Sequence, residues 1–320
     1  MRTFIAFFLT FLAIGPLGAA PVETSVEAPG PAGALAGTML SADAPNSPIV
    51  LIIPGSGPTD RDGNNPLGVK AGTYKLLAEG LATRGITTVR IDKRGLFGSK
   101  EAFPDANAVT IPEYAADVHA WTSVIRRQKN VPCLWLLGHS EGALVAMVAA
   151  QNAPDICGLV LAAAAGRPIG EVLKDQLEAN PANAPVLDQG LKAIDSLEAG
   201  HAIDVSGMNP ALSRLFRPNV QGFLISEFSY DPAVLLAKYP KPVLILQGER
   251  DIQVGVADAR RLERADPKAK LVLLPAANHV LKPVASDNRA DNLATYANPN
   301  LPLAPGVIDA ISGFVSPPQP

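Results

Sequence analysis

Apolar residues in this chain fall into short runs separated by amphipathic stretches. "IVLII" (49–53), "ITTVRID" (86–92), "VPCLWLLG" (131–138), "CGLVLAAAAG" (157–166), "PVLILQG" (242–248) and "KLVLLPA" (270–276) read as strands. Most lack apolar–polar alternation, as expected of strands covered on both faces. "GALAGTML" (33–40) predicts an outer strand, and the Pro-, Gly- and Glu-containing residues 21–32 are expected to be loose. Helices are expected between the strands. "GTYKLLAEGLATRG" (72–85) is one, stopped by Gly85. After Thr110, a credible N-cap with Pro112 in the first turn, Ile111, Tyr114, Ala115, Val118, Trp121 and Ile125 follow helical spacing. "EGALVAMVAAQ" is apolar nearly all round and predicts a buried helix. A charged helix over 256–265 and a last amphipathic one in "PGVIDAISGFV" complete the set.

Strands alternating with helices predict an α/β fold with a mostly parallel, doubly wound sheet. The alternation fails over 167–241, where "EVLKDQLEA" and "LDQGLKAIDSLEA" are helical and no strand is evident. That stretch is expected to be a helical cap inserted after the sixth strand, with 21–166 and 242–320 forming the core. Its Phe216, Phe223, Leu224, Phe228 and Tyr230 are available to a ligand, but the expected role of each is to hold the cap to the sheet.

The first twenty residues carry a different pattern. Arg2 precedes the apolar "FIAFFLTFLAIGPLG", then come Gly18, Ala19 and Ala20. A basic start, a short apolar run and a small-residue exit describe a secretory signal peptide. The run is short of the ~20 residues a membrane span needs. The protein is therefore expected to be exported, to the periplasm or beyond, with no stable membrane insertion after cleavage. Export makes a disulfide between Cys133 and Cys157 conceivable, because both begin neighbouring predicted strands. Two buried thiols are the preferred expectation, since side-chain direction is not given by the pattern.

Composition narrows the function. With 320 residues and 48% hydrophobic content, a large core is available. A net charge of −3 without long like-charge runs excludes a nucleic-acid footprint. No internal repeat and no zinc-type cysteine spacing is present. The chemistry concentrates in "GHSEG", where Ser140 lies between Gly138 and Gly142 at a strand-to-helix corner. Such a corner strains the serine and exposes its hydroxyl above the sheet edge. A serine needs a base. Of the four histidines, His139 sits inside the corner, His119 on a helix face and His201 in the cap. His279 follows the last predicted strand, where this architecture puts its base. Asp251, after "PVLILQG", is the expected partner of His279, with Glu249 and Asp258 as competitors. The order Ser, Asp, His fits the doubly wound hydrolase template. In "PGSGPTDRDGN" the Ser56 amide is the expected first donor to an oxyanion, with the Glu141 amide as the second. Asp60, Arg61 and Asp62 are expected to brace that loop.

Taken together, "PGSGPTDRDGN", "RIDKRGLFGS", "GHSEG", "AAGRP", "LISEFSYDP", "QGERDIQV" and "NHVLK" resemble the cap-bearing bacterial carboxylesterases of the α/β-hydrolase superfamily, relatives of serine aminopeptidase-like hydrolases. The resemblance implies Ser140 as nucleophile, Asp251 as acid and His279 as base. It implies hydrolysis of a small-molecule carboxylic ester, with no metal or organic cofactor. Because a pocket covered by the cap limits size, the acyl group is expected to be of short to medium length. Many relatives carry a histidine where this chain has Pro54. An aminopeptidase or amidase on the same triad, with cap acids such as Glu171, Asp175 or Glu178 anchoring an amino terminus, is the alternative chemistry. A non-catalytic binding protein on the same scaffold is the alternative class.

Overall fold

The computed structural model describes residues 21–42 and 47–316, so the expected signal peptide over 1–20 lies outside the described residues. Among the described residues eight strands form the main sheet. They are β1 (Val22–Pro29), β2 (Ala34–Ser41), β3 (Ile49–Ile53), β4 (Thr87–Ile91), β5 (Leu134–His139), β6 (Ile156–Ala162), β7 (Val243–Gly248) and β8 (Lys270–Leu274). Their spatial order is β1-β2-β4-β3-β5-β6-β7-β8. The β1–β2 and β2–β4 pairs are antiparallel, and every later pair is parallel. A short hairpin, Asn64–Asn65 with Val69–Lys70, stands outside the sheet.

Strand side chains alternate between faces, so each apolar run supplies two cores. Ile49, Leu51, Ile53, Leu136, Leu159, Leu161 and Ile245 face one side. There they meet α2 (Ile111–Lys129) and α3 (Glu141–Ala149). Val50, Ile52, Leu137, Val160, Leu244 and Leu246 face the other side, under α1 (Thr73–Ala82) and the C-terminal helix Val307–Val315. Helix α2 starts as expected: the Thr110 amide donates to the Glu113 carboxylate at 2.8 Å. No helix among the described residues is long and apolar enough to cross a membrane.

Between β6 and β7 lie α4 (Ile169–Glu178), α5 (Leu187–Glu198), α6 (Pro210–Leu215), α7 (Pro218–Phe228) and α8 (Pro232–Ala237). This insert has its own core, in which Ile194, Leu197, Phe216, Leu224 and Phe228 are buried. Phe223 packs edge-on against Tyr114 of α2, ring centroids 6.2 Å apart, and so fastens the insert to the sheet layer. After β7 come α9 (Val256–Ala265), α10 (Arg289–Tyr296) and α11 (Val307–Val315).

Two expectations are corrected. Residues 21–32 are not loose: β1 pairs with β2 from Val22↔Ser41 to Pro29↔Ala34, which moves β2 inward from the edge. Val26 and Ala28 are its buried positions. Backbone pairing holds β1 in place, and side-chain pattern records that only faintly.

The cysteines are not thiols. Cys133 and Cys157 form a disulfide, Cα atoms 5.2 Å apart, across the β5–β6 pair. The bond closes a 24-residue separation, worth about 3 kcal/mol by loop-closure entropy. Replacing both with serine is expected to lower the unfolding free energy by about that amount. Urea titration reads it, and the native protein in reductant should match the double variant.

Candidate active site

Ser140 joins β5 to α3 with φ 55° and ψ −123°. A non-glycine residue there is strained, and such strain persists only where the surroundings enforce it. Here the Ser140 amide donates to the Ala162 carbonyl at 2.9 Å, while α3 is buried along nearly its whole length. The flanking glycines serve close approach. A Cβ on Gly138 would lie 2.3 Å from the Gly142 carbonyl oxygen, and one on Gly142 would lie 2.3 Å from that of Ile53. Strand β5 and helix α3 can therefore cross this tightly only with hydrogen at both positions. Ser140 stays half-buried at the crest.

His279 lies after β8 and Asp251 after β7. His279 Nδ1 is 2.8 Å from Asp251 Oδ2. Asp251 Oδ1 accepts from the amides of Gln253 at 2.8 Å and Val254 at 3.0 Å. Burial alone would raise this carboxyl, but His279 and the two amides outweigh it and hold it below its ordinary range. The competitors are elsewhere. Glu249 is exposed. Asp258 accepts from the Gly166 amide and Arg167 Nε, at 3.0 and 3.2 Å. His119 and His201 are exposed.

His139 faces downward, away from solvent. Its Nε2 is 2.7 Å from the His279 carbonyl, and its Nδ1 is 2.9 Å from the Tyr74 hydroxyl. A carbonyl only accepts, so Nε2 carries the hydrogen and Nδ1 accepts from Tyr74. The Tyr74 oxygen in turn accepts from the Gly55 amide at 2.9 Å. One chain of hydrogen bonds thus runs from the loop after β3 to the backbone of His279. Burial, then the neighbouring His279, pushes His139 down to about 4.

Ser140, His279, Ser56, Thr59, Gln253 and Tyr296 are among the residues lining one cavity of about 190 Å³. No hydrogen bond joins the Ser140 hydroxyl to His279 among the described residues. Such contacts are often loose without substrate. The Ser56 and Glu141 amides likewise donate to no protein acceptor among the described residues. The cavity walls come from the loop 55–74 and from α10, and no residue of the 167–241 insert lines them. Phe216, Phe223, Leu224, Phe228 and Tyr230 are therefore absent from the lining, which overturns the expectation that a covering cap sets the pocket's size. Asp60, Arg61 and Asp62 do brace the loop. Arg61 Nε donates to Asp92 at 3.0 Å, Asp62 pairs with Arg90, and Asp60 accepts from the Asn64 amide at 2.8 Å. Among the described residues no cluster of His, Cys, Asp or Glu is arranged to hold a metal.

Sequence reasoning passed over the supports. Asn278 Nδ2 donates to Thr295 Oγ1 at 2.6 Å, and Asn292 Nδ2 donates to the Arg250 carbonyl at 2.6 Å. Helix α10 thereby ties the His279 loop to the Asp251 loop. Gln247 Nε2 reaches Asp251 Oδ2 at 3.2 Å. The signal for these was weak: a glutamine inside an apolar strand and an asparagine before a histidine. Lys93 left a stronger one, because "DKR" places three consecutive charges, all buried, just past β4.

The family described as serine aminopeptidase, S33, matches residues 67–197, a stretch that holds Ser140 but neither Asp251 nor His279. Esterase EstD of Thermotoga maritima is 30% identical over 226 residues, 66% of this chain and 48% of EstD. The chain thus matches about half the length of that relative. The 2-(acetamidomethylene)succinate hydrolase of Mesorhizobium japonicum is 27% identical over 63% of this chain and 74% of its own length. Among solved structures, the α/β hydrolase GrgF from Penicillium sp. sh18 superposes with a TM-score of 0.55 at 20% identity, covering 81% of this chain and 91% of that one. A mostly parallel sheet in this strand order, a strained serine corner between its fifth strand and the next helix, and the superposition on GrgF together show that this chain has the α/β-hydrolase fold.

Proposed function

We propose that this protein is a serine esterase that cleaves carboxylic esters of short acyl chain through an acyl-enzyme. The observation that carries the reading is the Asp251–His279 pair at 2.8 Å opening onto the same cavity as the strained Ser140. His279 Nε2 takes the Ser140 proton as Oγ attacks the ester carbonyl, and the Ser56 and Glu141 amides receive the oxyanion. His279 then gives the proton to the leaving alcohol as the C–O bond breaks. Water, deprotonated by the same nitrogen, cleaves the acyl-enzyme and restores Ser140. Asp251 keeps the imidazole oriented and stabilises its charged form. The EstD similarity supports ester chemistry.

An aminopeptidase would need a carboxylate to hold the substrate's ammonium group. No Asp or Glu lines the cavity among the described residues, and Asp175 instead pairs with Arg167. The amide reading lacks its anchor. The small cavity walled by the loop after β3 and by α10 supports the short end of a short-to-medium acyl range. Export to the periplasm or beyond is part of the same proposal, and the Cys133–Cys157 disulfide supports it, because such bonds persist in oxidising compartments.

The test is a p-nitrophenyl ester series from acetate to octanoate, run beside labelling with a fluorophosphonate. Turnover should be greatest on acetate or butyrate, and the label should map to the peptide containing Ser140. A folded protein that neither hydrolyses nor labels would favour the non-catalytic reading.

A further inference from the structure

Behind the proposed oxyanion site lies a group that the hydrolytic steps do not use. Lys93, two residues past β4, is buried, and its Nζ donates to the Gly55 carbonyl at 2.8 Å and to Glu141 Oε1 at 3.1 Å. Each partner belongs to a residue pair that supplies one of the oxyanion donors. The Gly55 carbonyl is in the same peptide unit as the Ser56 N–H. That unit is planar and trans, so its C=O and N–H point in opposite directions. Lys93 is not among the residues lining the cavity. A carbonyl held toward Lys93 therefore turns the Ser56 N–H the other way, toward the cavity. The Tyr74 hydroxyl accepts from the Gly55 amide at 2.9 Å and pins the neighbouring peptide unit as well.

We infer that Lys93 is a positioning residue that aims the Ser56 amide into the oxyanion site and locks it to the serine corner through Glu141. The inference rests on the esterase reading above. Lys93 suits the role because one ammonium group can donate to both partners at once, and a charge-assisted bond resists the peptide flip that would empty the site. The cluster also contains Glu227 of α7, which is 4% exposed. Burial, then the Glu141 carboxylate, raises the Glu227 carboxyl well above its ordinary value. That shift favours the neutral form of Glu227, and the carboxylate that Lys93 hydrogen-bonds is Glu141. Burial by itself would lower Lys93, but Glu141 outweighs it and keeps the ammonium charged. Tyr114 closes the chamber, its ring centroid 5.3 Å from Nζ.

Lys93→Met and Lys93→Gln separate aim from stability. Both remove the charge beside Glu141, but only glutamine keeps a donor for the Gly55 carbonyl. With p-nitrophenyl acetate, Lys93→Met is expected to lose about 10²-fold in kcat with KM nearly unchanged, the loss typical of one missing oxyanion donor. Lys93→Gln should retain roughly tenfold more kcat than Lys93→Met. Affinity for phenylboronic acid, which takes Ser140 into a tetrahedral anion, should fall by the same factor as kcat in each variant. If Lys93→Met does not fold, Lys93→Gln decides alone by whether kcat and boronate affinity fall together. A purely structural Lys93 would give losses that follow melting temperature, with Met and Gln alike, or that appear in KM. Either result overturns the inference, as does a kcat within threefold of the native enzyme. An active native enzyme with an unaffected Lys93→Met variant would sink this inference alone. A native protein inactive on the ester and unlabelled would sink the esterase reading, and this inference with it.

Discussion

Ser140→Ala is expected to leave a folded, disulfide-bonded protein that no longer labels with a fluorophosphonate and no longer turns over p-nitrophenyl acetate above the rate left by binding alone. Asp251→Asn should cost about 10⁴-fold in kcat, since an amide neither selects the imidazole tautomer nor balances its charge. The two changes should not add. Once the nucleophile is gone, removing the acid has little left to disable, so the double variant should resemble Ser140→Ala. The Asp251 substitution also bears on stability. Its carboxyl is held below the ordinary value of 3.8 in the folded state. A depressed carboxyl contributes stability that is fully present above the unfolded value and is lost as pH falls through the folded one. Native protein should therefore lose this contribution below about pH 4, and Asp251→Asn should not show that loss. Steady-state kinetics read the first effect and acid denaturation reads the second. An Asp251→Asn enzyme within tenfold of native turnover would remove Asp251 from the proposed triad.

The second large effect lies at His139. Burial keeps this imidazole neutral down to about pH 4, whereas an unfolded histidine takes its proton near 6.5. Between those values the unfolded chain binds more protons than the folded one, so stability falls as pH is lowered. The loss is on the order of 3 kcal/mol across the window, complete near pH 4 and absent above about 6.5. His139→Gln offers a donor to the His279 carbonyl and an acceptor to Tyr74 but has no proton to take up. It should flatten the pH dependence between 4 and 6.5 while retaining the fold. Urea titrations at closely spaced pH values provide the measurement. Equal slopes for native and variant would mean that His139 is not the group titrating in that window.

Much of the candidate site was readable before any coordinates. Ser140 announced itself because a strained corner tolerates few neighbours, and the glycines on either side are the ones a close crossing requires. Asp251 and His279 could be placed because a parallel sheet delivers the C-terminal ends of its strands to one edge. The helical character of 167–241 was visible as a missing strand, and a packing role was expected of its aromatics, but not that Phe216 and Phe228 would pack within the insert itself and leave the cavity to the loop after β3 and to α10. The path of the acid-to-base supports was also hidden. Asn278, Asn292 and Thr295 meet only because α10 folds back across two loops. Buried polar residues of that kind have no periodicity by which to be found.

Taken alone, the order of residues determined the doubly wound sheet, the serine corner and the late histidine, and it narrowed the acid to Asp251, Glu249 or Asp258. Each of these follows from local rules, namely burial on two faces of a strand and crowding at a tight turn. Tertiary structure alone decided that Val22–Pro29 is an edge strand, that Cys133 and Cys157 point at each other, and that Lys93 sits behind the Gly55 carbonyl. Those outcomes depend on the relative direction of groups far apart along the chain. Such directions are settled only when the whole core packs, because no window of neighbouring residues carries that geometry.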